Sequence, residues 1–257
     1  MGMENEGLPG SRRVQADDFS PAPRGLTAPP FVWLVGLVIR ALIFDFDGLV
    51  IDTETPLIDA WAAIHERAGH AYTRADALGL VGHVDIAFDP WTAFGSAAAR
   101  AELEAEHRRL TRELTARQPI LPGVLGYLEE GRRRGLKLAV ASNSGHDHVD
   151  RHLTRLGLRP FFDFIGCRED VAIGKPAPEI YHLVVRQLAL TPPEVIAFED
   201  SSAGTLAARS AGIWTVAVPN PSTHRHDLSA AHLVMASLAD QPLAELLDRF
   251  SSGAAGA

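Results

Sequence analysis

Apolar positions along this chain fall into two rhythms that take turns. Short uninterrupted runs, Ala41 to Phe44, Leu138 to Ala141 and Val195 to Phe198, have the pattern of strands buried on both faces. Further strands are predicted near Phe162 to Ile165, Ile213 to Val218 and Leu233 to Met235. Between them the apolar residues recur at helical spacing. This predicts helices near Gly123 to Arg134, after Gly145 through Leu156, near Pro178 to Leu190 and near Ala203 to Ala211. Strand and helix in alternation imply a parallel sheet covered on both faces, an α/β fold. No internal repeat interrupts the pattern.

Two regions depart from it. From about Pro56 to Ile120 the periods are helical only, as in Ile58, Trp61, Ile64 and His65. A charged, alanine-rich stretch from Ala97 to Arg117 then spaces glutamates to reach arginines. This segment reads as a helical lid, with Thr53-Glu54-Thr55-Pro56 as one hinge and Gln118-Pro-Ile-Leu-Pro-Gly123 as the other. The expected organisation is therefore a catalytic core over 39–55 and 122–246, a cap over 56–121 and a flexible tail over 247–257. Residues 1–38, rich in Gly, Pro, Ser and charge up to about Pro30, are expected to be a disordered extension, and the functional start is expected near Val38. The apolar run Phe31 to Ile39 is too short to span a bilayer and lacks a cleavage site, so a cytoplasmic, non-membrane protein is expected.

Composition narrows the picture. The 257 residues, 46% hydrophobic, can bury a full core and carry an insert. A net charge of −8, with Arg132-Arg-Arg134 following Glu129-Glu130, argues against a nucleic-acid partner. The single cysteine, Cys167, excludes an intramolecular disulfide and a cysteine-based zinc cluster, and in Phe164-Ile-Gly-Cys it reads as a small buried strand residue. A monomer is the default expectation.

Candidate chemistry lies where the strands end, which is where open parallel sheets bind ligands. Ala41-Leu-Ile-Phe runs into Asp45 and Asp47. One carboxylate there can attack phosphorus, and a second two residues on can pass a proton to or from the departing oxygen. Solvated acids capping a turn are the plain alternative. Leu138 to Ala141 ends in Ser142 and Asn143, a hydroxyl and an amide able to bond phosphate oxygens, or else an ordinary helix cap. In Ile173-Gly-Lys-Pro-Ala-Pro, Lys175 stands on a stiff turn as a compact charge. It is one of two lysines, with Lys137, in a chain whose 24 basic residues are otherwise arginine. Val195-Ile-Ala-Phe ends in Glu199 and Asp200, which can hold a Mg2+ ion.

These four segments, in this order, resemble the motifs of the haloacid dehalogenase superfamily of phosphatases and phosphotransferases, over roughly Ala41 to Leu246. The resemblance implies a Rossmann-like doubly wound parallel sheet with a small α-helical cap inserted after the first strand. It also implies Mg2+ as cofactor and a small phosphorylated metabolite as substrate. By that likeness Asp45 is the nucleophile, Asp47 the general acid/base, Ser142 and Asn143 phosphate ligands and Lys175 the neutralising cation. Asp45, the backbone carbonyl of Asp47, Glu199 and Asp200 would be the metal ligands. The acid at position 47 argues for phosphate esters over carbon–halogen bonds.

Asp-Gly-Leu-Val-Ile-Asp-Thr-Glu and Phe-Glu-Asp-Ser-Ser-Ala-Gly are similar to the small-cap branch that includes β-phosphoglucomutase and many sugar- and nucleotide-phosphate phosphatases. Asp-Thr-Glu-Thr-Pro and Val-Pro-Asn-Pro-Ser-Thr-His resemble a sub-branch containing pseudouridine 5′-phosphatase. Mutases of this branch place a histidine where this chain has Leu57 and an arginine early in the cap, where only His83 is basic between Arg74 and Arg100. Hydrolysis through an aspartyl-phosphate is therefore the expectation. The alternatives are a phosphosugar isomerase and an idle phosphometabolite-binding domain. Candidate leaving-group contacts are His83, Asp85, Asp89, Trp91 and Arg108. His146, His148 and His152 read as a solvated helix start.

Overall fold

β1, Ala41–Phe44, is buried along its whole length and lies in the middle of the sheet. The computed structural model describes residues 38–70, 94 and 97–252. The extension 1–37, the cap candidates His83, Asp85, Asp89 and Trp91, and residues 253–257 lie outside these.

The other strands are β2 (Lys137–Ala141), β3 (Phe164–Gly166), β4 (Val195–Glu199), β5 (Trp214–Ala217) and β6 (Leu233–Val234). They form one sheet of order β3-β2-β1-β4-β5-β6, and all pairings are parallel. Phe44 pairs with Val140 on one side and Phe198 on the other. The residues just past the three central strands are thereby brought to the same edge of the sheet.

Seven helices are described: α1 (Glu54–Arg67), α2 (Ala97–Thr115), α3 (Val124–Arg133), α4 (His146–Arg155), α5 (Glu179–Gln187), α6 (Ser202–Ser210) and α7 (Leu243–Ser251). One sheet face carries the large residues Leu42, Phe44, Val140 and Phe198 and packs with residues of α3, α4 and α7. The other carries Ala41, Ala139, Ala141 and Ala197 and packs with residues of α5 and α6. Small strand residues let α5 approach closely, which matters below because it brings Tyr181 to the site.

Several expected boundaries move. The third strand begins at Phe164, because Arg159-Pro-Phe161 forms a 3₁₀ turn ahead of it. The fifth helix stops at Gln187. Over residues 247–251 the expectation of a flexible tail is corrected. Leu243, Leu246, Leu247 and Phe250 recur at helical spacing, and all four are buried as α7 closes over the sheet.

α1 and α2 pack on each other within the expected cap, with the Trp61 ring 4.1 Å from that of His107 and His107 Nε2 3.1 Å from Leu57 O. Arg108, 57% exposed, pairs with Glu104 along the outer face of α2. The chain enters and leaves this segment side by side. Ile51 and Ile120 form an antiparallel bridge, and the Leu121 N–H donates to Val50 O at 2.9 Å. Asp52 Oδ1 accepts from the backbone N–H groups of Glu54 and Thr55, at 3.1 and 2.9 Å, and so caps α1.

Candidate active site

Asp45 is the first residue beyond β1, tied to its neighbour strand by a 2.9 Å bond from its N–H to Phe198 O. The chain then turns sharply at Gly48, whose φ of +79° suits glycine. A Cβ on Gly48 would collide with Asp200 and Asn220, so the turn also lets the β1 loop approach the end of β4.

Lys175 Nζ donates to Asp45 Oδ1 at 2.5 Å, to Glu199 Oε1 at 2.5 Å and to the carbonyl of Ala141 at 2.7 Å. The Lys175 side chain is 4% exposed. Burial works against its charge, but Asp45 and Glu199 outweigh that and hold its pKa above the ordinary value. Glu199 Oε1 also accepts from the Tyr181 hydroxyl. Asn143 positions the lysine through both ends of its amide: Oδ1 accepts from the Lys175 N–H at 2.8 Å and Nδ2 donates to Lys175 O at 3.1 Å. One N–H of the Asn143 amide is left over from these two bonds, and Asn143 lines the cavity that also holds Asp45, Ser142 and Lys175.

Asp45, Glu199 and Asp200 each offer a carboxylate oxygen within 4.8 Å of the others. Burial pushes Asp45 up to about 8; Lys175 lowers it, while Glu199 and Asp47 add to the rise. Burial and the neighbouring Asp45 and Glu199 hold Asp200 well above the usual carboxylate range. Glu199 Oε2 is buried with no hydrogen-bond partner. Three hard oxygen donors, crowded like charges and an orphaned buried oxygen fit a small divalent cation such as Mg2+. Asn220 Nδ2 steadies Asp200 Oδ2 at 2.8 Å and reaches Gly48 O at 3.2 Å.

Asp47 is surrounded by donors. Its Oδ2 accepts from Ser144 Oγ at 2.6 Å and from Ser142 Oγ at 3.4 Å, and its Oδ1 lies 2.9 Å from His148 Nε2. Burial would raise its pKa, but the His148 bond and charge and the hydroxyls of Ser144 and Thr53 bring it below the ordinary value. Glu54, the first residue of α1, lines the same cavity of about 250 Å³, together with Asp45, Asp47, Ser142, Lys175 and Asp200. Its Oε2 is buried without a partner, and burial raises the carboxyl to about 7 against the lowering effect of Ser222 and Asn220.

Every residue named from the strand ends is thus in one place. The sequence reading missed Glu54, Ser144, His148, Tyr181 and Asn220. The solvated-helix reading of the histidines is corrected: His148 bonds Asp47, and His152 is 5% exposed with its pKa lowered to about 4, chiefly by burial. Only His146 fits that reading, half-exposed and paired with Asp170 at 2.8 Å. The signal was the spacing, since His148, Val149, His152 and Leu153 fall on one helical face. Cys167 is buried as expected, directly after β3, and burial pushes its thiol up to about 12.

Residues 39–212 match the family of haloacid dehalogenase-like hydrolases. The YhcW protein of Bacillus subtilis (strain 168) is 36% identical over 219 residues, covering 84% of this chain and 99% of that protein. The phosphorylated carbohydrates phosphatase of Thermotoga maritima is 33% identical over 181 residues, covering 68% of this chain and 82% of that one. Among solved structures, β-phosphoglucomutase from Clostridium difficile is similar with a TM-score of 0.64 at 26% identity, covering 84% of this chain and 99% of that chain.

Proposed function

The chain belongs to the haloacid dehalogenase-like hydrolase family and is a phosphatase, and from that premise we propose that it hydrolyses a small phosphorylated carbohydrate, with Mg2+, through an aspartyl-phosphate on Asp45. The observation that carries the reading is Lys175 held 2.5 Å from Asp45 at the end of the central strand, with Asp47 two residues on. The relative that acts on phosphorylated carbohydrates supports the substrate class. No helix among the described residues is long and apolar enough to cross a membrane, and the proposed setting is the cytoplasm.

Asp45, Glu199, Asp200 and the carbonyl of Asp47 would hold Mg2+, which when bound supplies positive charge against the transferring phosphoryl oxygens. An Asp45 oxygen attacks phosphorus, the bond from phosphorus to the ester oxygen breaks, and Asp47, in the minority form that carries a proton, gives it to that oxygen. Water then attacks the phosphorus of the aspartyl-phosphate and Asp47 takes its proton. The acyl phosphate bond breaks, leaving inorganic phosphate and free Asp45. Lys175 stays charged throughout and stabilises the anionic centre. Ser142, at the end of β2, would turn its hydroxyl from Asp47 to a phosphate oxygen.

The likeness to β-phosphoglucomutase favours a second reading, transfer of the phosphoryl group within a sugar. Dependence on a bisphosphate activator would be its sign. The deciding experiment measures phosphate release with Mg2+ from sugar phosphates, nucleotides and phosphoglycolate, beside Asp45→Asn. Release that needs both metal and Asp45 is expected, and silence across the panel from folded protein would overturn the proposal.

A further inference from the structure

His148 lies outside the segments that supply the proposed chemistry, yet it touches the group on which both halves of that chemistry turn. The serine hydroxyls of Ser142 and Ser144 hold one oxygen of Asp47, Oδ2. A carboxylate held at one oxygen can still swing about its terminal torsion, which is broad and soft. His148 Nε2, 2.9 Å from Oδ1, holds the other oxygen and fixes the plane.

The imidazole is itself held in place. It stands edge-on to Phe46, centroids 5.7 Å apart at 87°, and meets His152 one turn along at 4.8 Å and 64°. Phe46 is fully buried and sits between the two aspartates in sequence. Thr53, which also bonds Asp47, stands at the junction with the 56–121 segment, whereas His148 belongs to α4 on the core. Movement at that junction would change the Thr53 contact and leave the histidine where it is.

We propose that His148 is a positioning residue for the phosphatase reaction, orienting the Asp47 carboxyl toward the oxygen that departs and, later, toward the attacking water. The inference rests on the phosphatase reading above. It predicts a dependence on the leaving group. An ester whose oxygen departs easily as an anion needs little proton donation, and a poorer one needs Asp47 correctly aimed.

The test compares kcat/KM for p-nitrophenyl phosphate and phenyl phosphate, a parameter that reports the steps through departure of the first product. His148→Leu keeps bulk against Phe46 and removes the donor; His148→Gln restores a donor at the Nε2 position. We expect His148→Leu to lose about tenfold or more on phenyl phosphate but about threefold or less on the nitrophenyl ester, with His148→Gln within about threefold of wild type on both. An unimpaired His148→Leu enzyme, an equal loss on both esters, or a His148→Gln enzyme as poor as His148→Leu would overturn the inference while leaving the phosphatase standing. If His148→Leu does not fold, His148→Asn, too short to reach Oδ1, is measured in its place against the same outcomes. Wild-type protein with no Asp45-dependent release from either ester would remove both readings together.

Discussion

Lys175 and Asp45, 130 positions apart in sequence, meet at 2.5 Å with only 4% and 9% of their side chains exposed. The same ammonium holds Glu199, so one lysine offsets two buried carboxylates. Lys175→Met keeps the bulk and removes the charge. Leaving buried charges without a partner costs about 3–5 kcal/mol. Urea denaturation of the metal-free variant is expected to show a loss of that size at pH 8. Phosphate release should fall at least about a hundredfold.

Gly204 lies in α6, where alanine would ordinarily stabilise the helix by about 1 kcal/mol. Here the sign reverses. A Cβ at 204 would occupy the space of the Glu199 carboxyl and push it away from Lys175 and Tyr181. Gly204→Ala is expected to destabilise by about 1–3 kcal/mol and to lower kcat by about tenfold or more. Thermal unfolding and steady-state kinetics on one preparation check both.

The carboxyl of Glu54 keeps its proton in the folded protein up to about 7, against an ordinary value of 4.5. Between those values the unfolded chain releases a proton that the folded protein holds, so this group lowers stability as pH rises from about 4.5 to 7 and keeps it low above. Glu54→Gln removes the titration. The variant is expected to match wild type near pH 5 and to exceed it by about 1–2 kcal/mol at pH 8, less than the full linkage value because the side chain is partly exposed. Denaturant midpoints across that range decide it. A wild-type advantage that grows with pH would contradict the assignment.

Mg2+ should raise the unfolding midpoint by relieving the repulsion among Asp45, Glu199 and Asp200, by about 2.7 kcal/mol at a hundred times its Kd. Chelation should return the protein to its starting stability, and Asp200→Asn should abolish the shift. Asn220→Leu removes the 2.8 Å clamp on Asp200 and is expected to weaken Mg2+ binding about tenfold, read by titration calorimetry.

The strands and the acids that follow them were readable from sequence because central parallel strands, buried on both faces, leave continuous apolar runs. The first polar residue after each run then marks the sheet edge where Asp45, Ser142 and Glu199 stand. Residues that act across the fold carry no such local mark. Asn220 reaches Asp200 from a proline-bounded loop, and Glu54 looks like a hinge until its side chain is seen in the cavity. Tyr181 reads as an apolar position of α5, which it also is. α7 was hidden by position rather than by pattern, since its apolar spacing is as regular as that of the helices that were found.

The antiparallel bridge between Ile51 and Ile120 carries one more implication. Both crossings into the 56–121 segment occur at one point, with backbones about 5 Å apart as in any such pair. The chain therefore leaves for the expected cap and returns from it through one paired point. Whatever lies between the two crossings, both ends of that stretch are pinned to the chain at the edge of the sheet that holds Asp45.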